Sequence, residues 1–231
     1  MSTWQPSLGA WFDDDEARFR VWAPDASSVT IRLESPAPPR EIPMLREFQG
    51  YHTQRIGGLE PGDRYRYLVD NRGPFPDPAS RWQPQGVHGP SALVDPSRYL
   101  WNDASFAGVD RDDLVIYELH VGTFTPEGTF ASATRRLSYL RELGISAVEL
   151  MPLADFPGSR NWGYDGVNLF APARCYGHPD DLRRFVDQAH QLGLSVLLDV
   201  VYNHLGPEGA YYAEFMPFFT RAHQTPWGDG V

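Results

Sequence analysis

The sequence predicts a two-part molecule: an antiparallel β-sandwich over residues 1–95, a linker over 96–111, and the start of a helix-covered parallel sheet over 112–231. Three observations carry this. Up to Asp95, short runs alternate apolar and polar residues with a period of two. From Asp112 the pattern changes to strand, helix, strand. The joint between helix and strand also repeats, as LGIS at 143–146 and LGLS at 192–195. Two successive βα crossovers require parallel strands.

In the first part, RFRVWAP sets Phe19 and Val21 against Arg18, Arg20 and Trp22. VTIRL puts Val29, Ile31 and Leu33 on one face, and YRYLVD does the same with Tyr65, Tyr67 and Val69. SPAPPRE (35–41) and NRGPFPDPAS (71–80) are expected as loops, because proline cannot donate to a central ladder. In the second part, LVIYELHV (114–121) and ISAVELMP (145–152) read as apolar strands. Between them, TFASATRRLSYLRELG spaces Phe130, Ala133, Leu137, Leu140 and Leu143 as one helix that stops at Gly144. PDDLRRFVDQAHQLG is the second helix, with Pro179 near its start, Gly193 at its end, and Leu182, Phe185, Val186, Ala189 and Leu192 inward. LSVLLDVVY is the third strand. Three strands do not separate a closed barrel from an open doubly wound sheet. After strand one the chain reads ELHVGTFTPEG, without the Gly-rich phosphate turn of dinucleotide folds, which favours the barrel.

Composition narrows the function classes. The chain has 231 residues, 42% hydrophobic and 22% charged, enough for a proper core. Its formal charge is −10 and all 20 basic residues are arginine. An acidic chain without a basic run does not suit a phosphate backbone, so no nucleic-acid partner is expected. Cys175 is the one cysteine, so no intrachain disulfide forms, in keeping with a reducing cytoplasm. MSTWQPSLGAWFDDDEARF lacks a signal-peptide layout, and no apolar run approaches the ~18 residues of a membrane span. A soluble, cytoplasmic protein without a membrane partner is the expectation.

The most informative stretch is SVLLDVVYNHLGPEG (195–209). Asp199 interrupts an apolar run, and a lone buried carboxylate needs a partner. Asn203 and His204 follow at the carboxyl end of the strand, where parallel α/β sheets bind ligands. The connection from Pro152 to His178 far exceeds the roughly two to six residues of an ordinary βα loop. It holds RNWGYDGVNLFAPARCYG, where Trp162, Tyr164, two glycines and Asp165 fall close together. Aromatic faces beside an acid and an imidazole suit carbohydrate.

These residues resemble a known family. DVVYNH (199–204) is similar to the first signature region of the α-amylase superfamily, glycoside hydrolase family 13. VWAP (21–24) resembles the early-set, immunoglobulin-like, starch-binding-like module that precedes many members. PDPASRWQPQGVHGPS, YELHVGTFTPEGTF and NWGYDGVNLFAPARCYGHPDDL narrow the resemblance to the maltooligosyltrehalose trehalohydrolases, from about residue 17 onward. Glycogen branching enzymes share the layout but usually carry glutamine where Asp165 stands.

The resemblance implies an early-set sandwich followed by the first three βα units of a (β/α)8 TIM barrel, incomplete in this chain. It implies hydrolysis, by double displacement, of the α-1,4 bond next to the terminal trehalose of maltooligosyltrehalose. Tyr164 would stack on the sugar at the scissile bond, His204 would hydrogen-bond it, and Asp199 would hold an arginine from the fourth strand. Asp165 and Asn203 complete the expected substrate-binding set. Asn203 matches a calcium ligand of some amylases, but this branch is not usually calcium-dependent, so no metal and no cofactor are expected. The family's nucleophilic aspartate and acid/base glutamate follow strands four and five, and both are expected beyond Val231. No stretch here resembles the nucleophile motif, so no catalytic residue is assigned within the chain, which is expected to be inactive alone. Its partners would be α-glucan and the remaining part of the enzyme. A glycan-binding or interaction module without catalysis is the reading from another class.

Plainer readings compete at several positions. Asp199 by itself could serve a structural ion pair, and His204 an ordinary loop. Glu118 and His120 divide evenly between barrel lining and site, while Glu149 is expected to face the barrel interior. Trp22 and Trp82 are expected at a domain interface rather than as a glycan platform. Cys175 has no activating His or Lys cluster, and no Gly-x-Ser-x-Gly or His-Glu-x-x-His pattern occurs. The third strand is expected to leave an unpaired, sticky edge, and the sandwich to fold alone.

Overall fold

A computed structural model describes residues 6–225 and 228–230. Val231, beyond which the two catalytic carboxylates are expected, lies outside the described residues. The first nine strands are β1 (Gly9–Asp13), β2 (Glu16–Trp22), β3 (Val29–Leu33), β4 (Arg40–Pro43), β5 (Leu45–Arg46), β6 (Tyr51–Gly57), β7 (Arg64–Val69), β8 (Arg72–Phe75) and β9 (Ser91–Ala92). They make two antiparallel sheets, β1-β2-β6-β5 and β4-β3-β7-β8, with β9 added to β7. The alternating residues do what their period demands. Phe19 and Val21 from one sheet, and Ile31, Leu33, Tyr65 and Tyr67 from the other, fill the shared core. Phe19 meets Tyr65 edge-on at 4.9 Å.

Two stretches expected as loops are partly strands. Arg40–Pro43 and Arg72–Phe75 form β4 and β8. Both lie at the outer edges of their sheet, where a proline's missing donor breaks no ladder. Strand β6 escapes a reading by period: it is YHTQRIG, in which the buried positions are His52 and Ile56, so apolar alternation is absent.

The second part contains β10 (Ile116–Leu119), α1 (Val121–Phe124), α2 (Phe130–Thr134), α3 (Leu137–Glu142), β11 (Ala147–Leu150), β12 (Ala154–Asp155), β13 (Asn168–Pro172), α4 (Pro179–Gln191) and β14 (Ser195–Leu198). A hairpin of β15 (Thr220–Thr225) and β16 (Gly228–Gly230) follows. Strands β10, β11 and β14 form the predicted parallel sheet in sequential order, and the described strands do not close into a barrel. The single helix expected over 129–144 is instead two. Thr129 opens α2 with a capping box to Ser132. The Thr134 hydroxyl then bonds the Phe130 carbonyl, and the Arg136 amide turns back to Ala133. Such a threonine bond competes with the helical ladder and bends it.

One face of the parallel sheet is covered. Leu119, Val148 and Leu150 pack against Phe130, Leu137, Leu140, Phe185 and Ala189. The register puts Glu118 beside Glu149 and Glu149 beside Leu197 on the opposite face, where no described helix lies. Glu149 thus faces what would be a barrel interior.

Three ties join the parts. The 96–111 segment straps α4: the Asn102 amide and side chain donate to the Asp187 carboxylate at 2.9 and 3.1 Å, and Phe106 stacks on His190 at 4.2 Å. His88 bridges Tyr211 and Glu208 at 2.7 and 2.8 Å. Phe215 enters the sandwich core against Tyr67 and Phe75, so that core is not built from residues 1–95 alone. Trp82 lies edge-on to His178 at 5.3 Å, an interface position, and Trp22 donates to the Gln49 carbonyl.

Candidate functional site

The sheet hands three residues to its carboxyl edge: His120 after β10, Met151 after β11 and Asp199 after β14. The ladder holds one residue beyond the strands, because Met151 N–H donates to Leu119 and Asp199 N–H to Leu150, both at 3.0 Å. Asp199 is therefore fixed in backbone before its side chain finds a partner. That partner is the Tyr164 hydroxyl, which donates to Oδ2 at 3.2 Å. Among the described residues no arginine pairs with Asp199. The Tyr164 phenol is held above its usual range, first by this hydrogen bond and the charge of Asp199, then by desolvation and the charges of Glu118 and Glu149. It remains a donor at neutral pH.

Tyr164 is carried by a tight turn. Gly163 has φ +95°, a region that favours glycine. The Trp162 amide donates to Asp165 Oδ2 at 3.0 Å and closes the turn. Asp165 thus has a loop-shaping bond. Trp162 and Tyr164 stand exposed above it, at 87% and 43%. The segment bearing Asn203 and His204 lies directly on this turn: a Cβ on Gly206 would come within 2.3 Å of the Asp165 carbonyl oxygen.

Tyr164, Asp199 and His204 line one pocket with Tyr202, Phe170, Pro152 and others. Asp165 and Asn203 are outside that lining, and Asn203 is exposed beside it. Beneath the turn, sequence reasoning missed Asn161 and Tyr176. The Asn161 side-chain oxygen sits 2.9 Å from His120 Nε2 and 3.0 Å from the Tyr176 hydroxyl. Both residues stand inside stretches quoted for the family resemblance, but no spacing rule marks them.

The long connection has a second anchor. Arg174 reaches buried Asp155 at 3.2 Å and the Phe156 and Gly158 carbonyls at 3.1 and 2.7 Å. Burial holds the Asp155 carboxyl above its usual range, against the opposing bonds and charge of Arg174. No group of three or more metal-ligating side chains gathers among the described residues, and no described helix is long and apolar enough to cross a membrane.

Comparison with known proteins agrees with this layout. Residues 100–224 match the family described as alpha amylase, catalytic domain, and residues 7–91 match carbohydrate-binding module 48, the isoamylase N-terminal domain. A malto-oligosyltrehalose trehalohydrolase of Saccharolobus solfataricus is 48% identical over 96% of this chain and 39% of its own length. One from Arthrobacter ramosus is 48% identical over 93% of this chain and 37% of its own. A branching enzyme of Pseudoalteromonas atlantica is 31% identical over 86% of this chain. Among solved structures, a candidate α-amylase from Salmonella typhimurium superposes with TM-score 0.93 at 45% identity, over 99% of this chain and 39% of that one. A pullulanase from Anoxybacillus sp. LM18-11, solved with maltotetraose, gives 0.82 at 26% identity, over 99% of this chain and 41% of that one. The chain therefore spans about two fifths of the length of such relatives. It belongs to the α-amylase family of glycoside hydrolases, where it is homologous over most of its length to malto-oligosyltrehalose trehalohydrolase, with the sandwich module and part of the catalytic domain.

Proposed function

We propose that this chain supplies the sandwich and the first sugar-binding wall of an enzyme that hydrolyses maltooligosyltrehalose and releases trehalose. The observation that carries the reading is the Tyr164–Asp199 hydrogen bond at the carboxyl edge of the parallel sheet, with His204 on the same pocket. In this reading the Tyr164 ring stacks on the sugar at the scissile bond and His204 hydrogen-bonds its hydroxyls. Asp199 accepts from Tyr164 and also holds an arginine contributed by a fourth strand. Asp165 closes the turn through the Trp162 amide and, with Asn203, completes the substrate-binding set. The nucleophile and the acid/base come from the fourth and fifth strands, beyond Val231. A retaining displacement needs these two carboxyls about 5–5.5 Å apart, and they approach the bond over the open inner face of β10, β11 and β14. Location in a reducing cytoplasm suits the lone Cys175.

The test is trehalose release from maltooligosyltrehalose. The chain alone should give none, and the chain joined to the rest of its barrel should turn over. Turnover by residues 1–231 alone, abolished by a substitution among them, would sink the reading. A branching activity is the second reading, favoured by the 31% identical relative. It would show as new α-1,6 linkages instead of trehalose.

A further inference from the structure

We propose that His120 is a positioning residue whose imidazole Nε2–H, with the Tyr176 hydroxyl, pins Asn161 and so fixes the turn that presents Tyr164. The proposal rests on the reading of Tyr164 as the sugar platform, and goes beyond it by naming what sets that platform.

Asn161, Tyr176 and His120 form a closed triangle of polar contacts, since the Tyr176 hydroxyl also lies 3.2 Å from His120 Nε2. Tyr176 donates to Asn161 Oδ1 at 3.0 Å, and His120 Nε2 lies 2.9 Å from the same oxygen. One oxygen accepts from both only if Nε2 carries hydrogen. Nδ1 is then free to accept from the Thr123 hydroxyl at 3.3 Å. With the Asn161 oxygen turned toward His120, the Nε2–H tautomer satisfies both ring nitrogens. The Asn161 amide nitrogen is buried without a partner, so the side chain is held by its oxygen alone.

The pin acts directly on the platform. Asn161 precedes Trp162, whose amide closes the turn onto Asp165. Gly163 is hemmed in by Met151, with the same imidazole just beyond: a Cβ there would lie 2.8 Å from Met151 Cε and 3.6 Å from His120 Cδ2. Tyr164 is next in sequence, and its hydroxyl reaches Asp199. Tyr176 is itself rigid, 3% exposed and edge-on to Phe130 and Phe156 at 5.8 Å each. The turn therefore hangs from the ends of two strands through His120 and Asp199, and from the core through Tyr176.

Amide hydrogen exchange of the full chain tests this, with maltotetraose binding as a second readout. His120→Phe keeps a ring and loses the donor, whereas His120→Gln restores an N–H near Nε2. Asn161→Ala removes the pinned side chain from a loop and leaves the core intact. His120→Phe and Asn161→Ala should each speed exchange at the Trp162 amide by about tenfold or more, with α2 and α4 unchanged. They should weaken maltotetraose binding by a similar factor. His120→Gln should stay within about threefold of the parent in both. Parent-like exchange in Asn161→Ala overturns the proposal. So does loosening spread equally over α2 and α4, or a glutamine variant no better than phenylalanine. If His120→Phe fails to fold, the Asn161 and glutamine variants decide. If the parent chain itself ignores maltotetraose, the sugar reading fails, while exchange still decides whether His120 sets the turn.

Discussion

The sandwich and the parallel sheet solve burial differently. The sandwich turns two half-apolar sheets inward, and β2, β3 and β7 alternate cleanly between core and surface: β3 reads buried at Val29, Ile31 and Leu33 and half-buried between. The parallel sheet is covered on one face only. Its uncovered side and its β14 edge leave Ile116, Leu197, Leu198 and Val200 between 36% and 54% exposed. Parallel sheets are stable when both faces are covered. The sandwich-forming half thus stores its apolar residues within itself, and the sheet half holds them out for more structure. The proposed sugar contacts gather at the carboxyl edge of this same sheet, where their pocket includes the exposed Leu198 and Val200.

The comparison breaks first at Phe215. It belongs by sequence to the sheet half and by packing to the sandwich. Phe215→Ala should cost about 3–5 kcal/mol, read by urea unfolding of the sandwich. An effect under ~1 kcal/mol would mean the sandwich is self-sufficient after all. Next in size is Arg174→Met, which strands the buried Asp155 carboxylate. About 3 kcal/mol should be lost, with proteolysis starting in the 155–166 connection and sparing the sandwich. Asn102→Ala removes a side-chain donor to Asp187 and should cost about 1–2 kcal/mol. It should free the strap without touching either core, measured as faster exchange along α4.

The smallest effect is a slope with pH. His52 is buried in the sandwich, and burial, then the charge of Arg46, pull its pKa below 6.5. The native state therefore binds fewer protons than the unfolded one. Stability is full above about 6.5 and declines as pH falls from there through the lowered folded value. Asp77 acts in the opposite sense, since burial raises its pKa. Comparing the parent with His52→Leu between about pH 7.5 and 5.5 isolates the histidine, and the variant should lose the decline. An unchanged slope would place the acid sensitivity elsewhere.

Local rules made much of this legible. The period of two in β2, β3 and β7, and the helical spacing of α4 with Pro179 and Gly193 at its ends, needed only near neighbours. So did the carboxyl-edge position of Asp199 and His204, once the strand was read. Features that depend on remote partners were not readable. Proline in β4 and β8 signals a loop until the strands are known to be edges. The interruption between α2 and α3 falls beside the Thr134 hydroxyl's bond to the Phe130 carbonyl, which spacing does not reveal. The His120–Asn161 bond joins residues 41 apart, and no periodicity encodes it. Asp165 is expected among the sugar contacts on family grounds, and its bond to the Trp162 amide, which closes the turn, has no sequence signal of its own.

Phe215 also imposes an order on synthesis. The sandwich strands end at Ala92, and about 120 further residues must be added before the ring that completes their core exists. At typical synthesis rates that interval is on the order of ten seconds. Through it, Tyr67 and Phe75 lack a neighbour that the finished fold gives them. The sandwich strands are thus made well before the ring that completes their core, a delay during which a chaperone has something to hold.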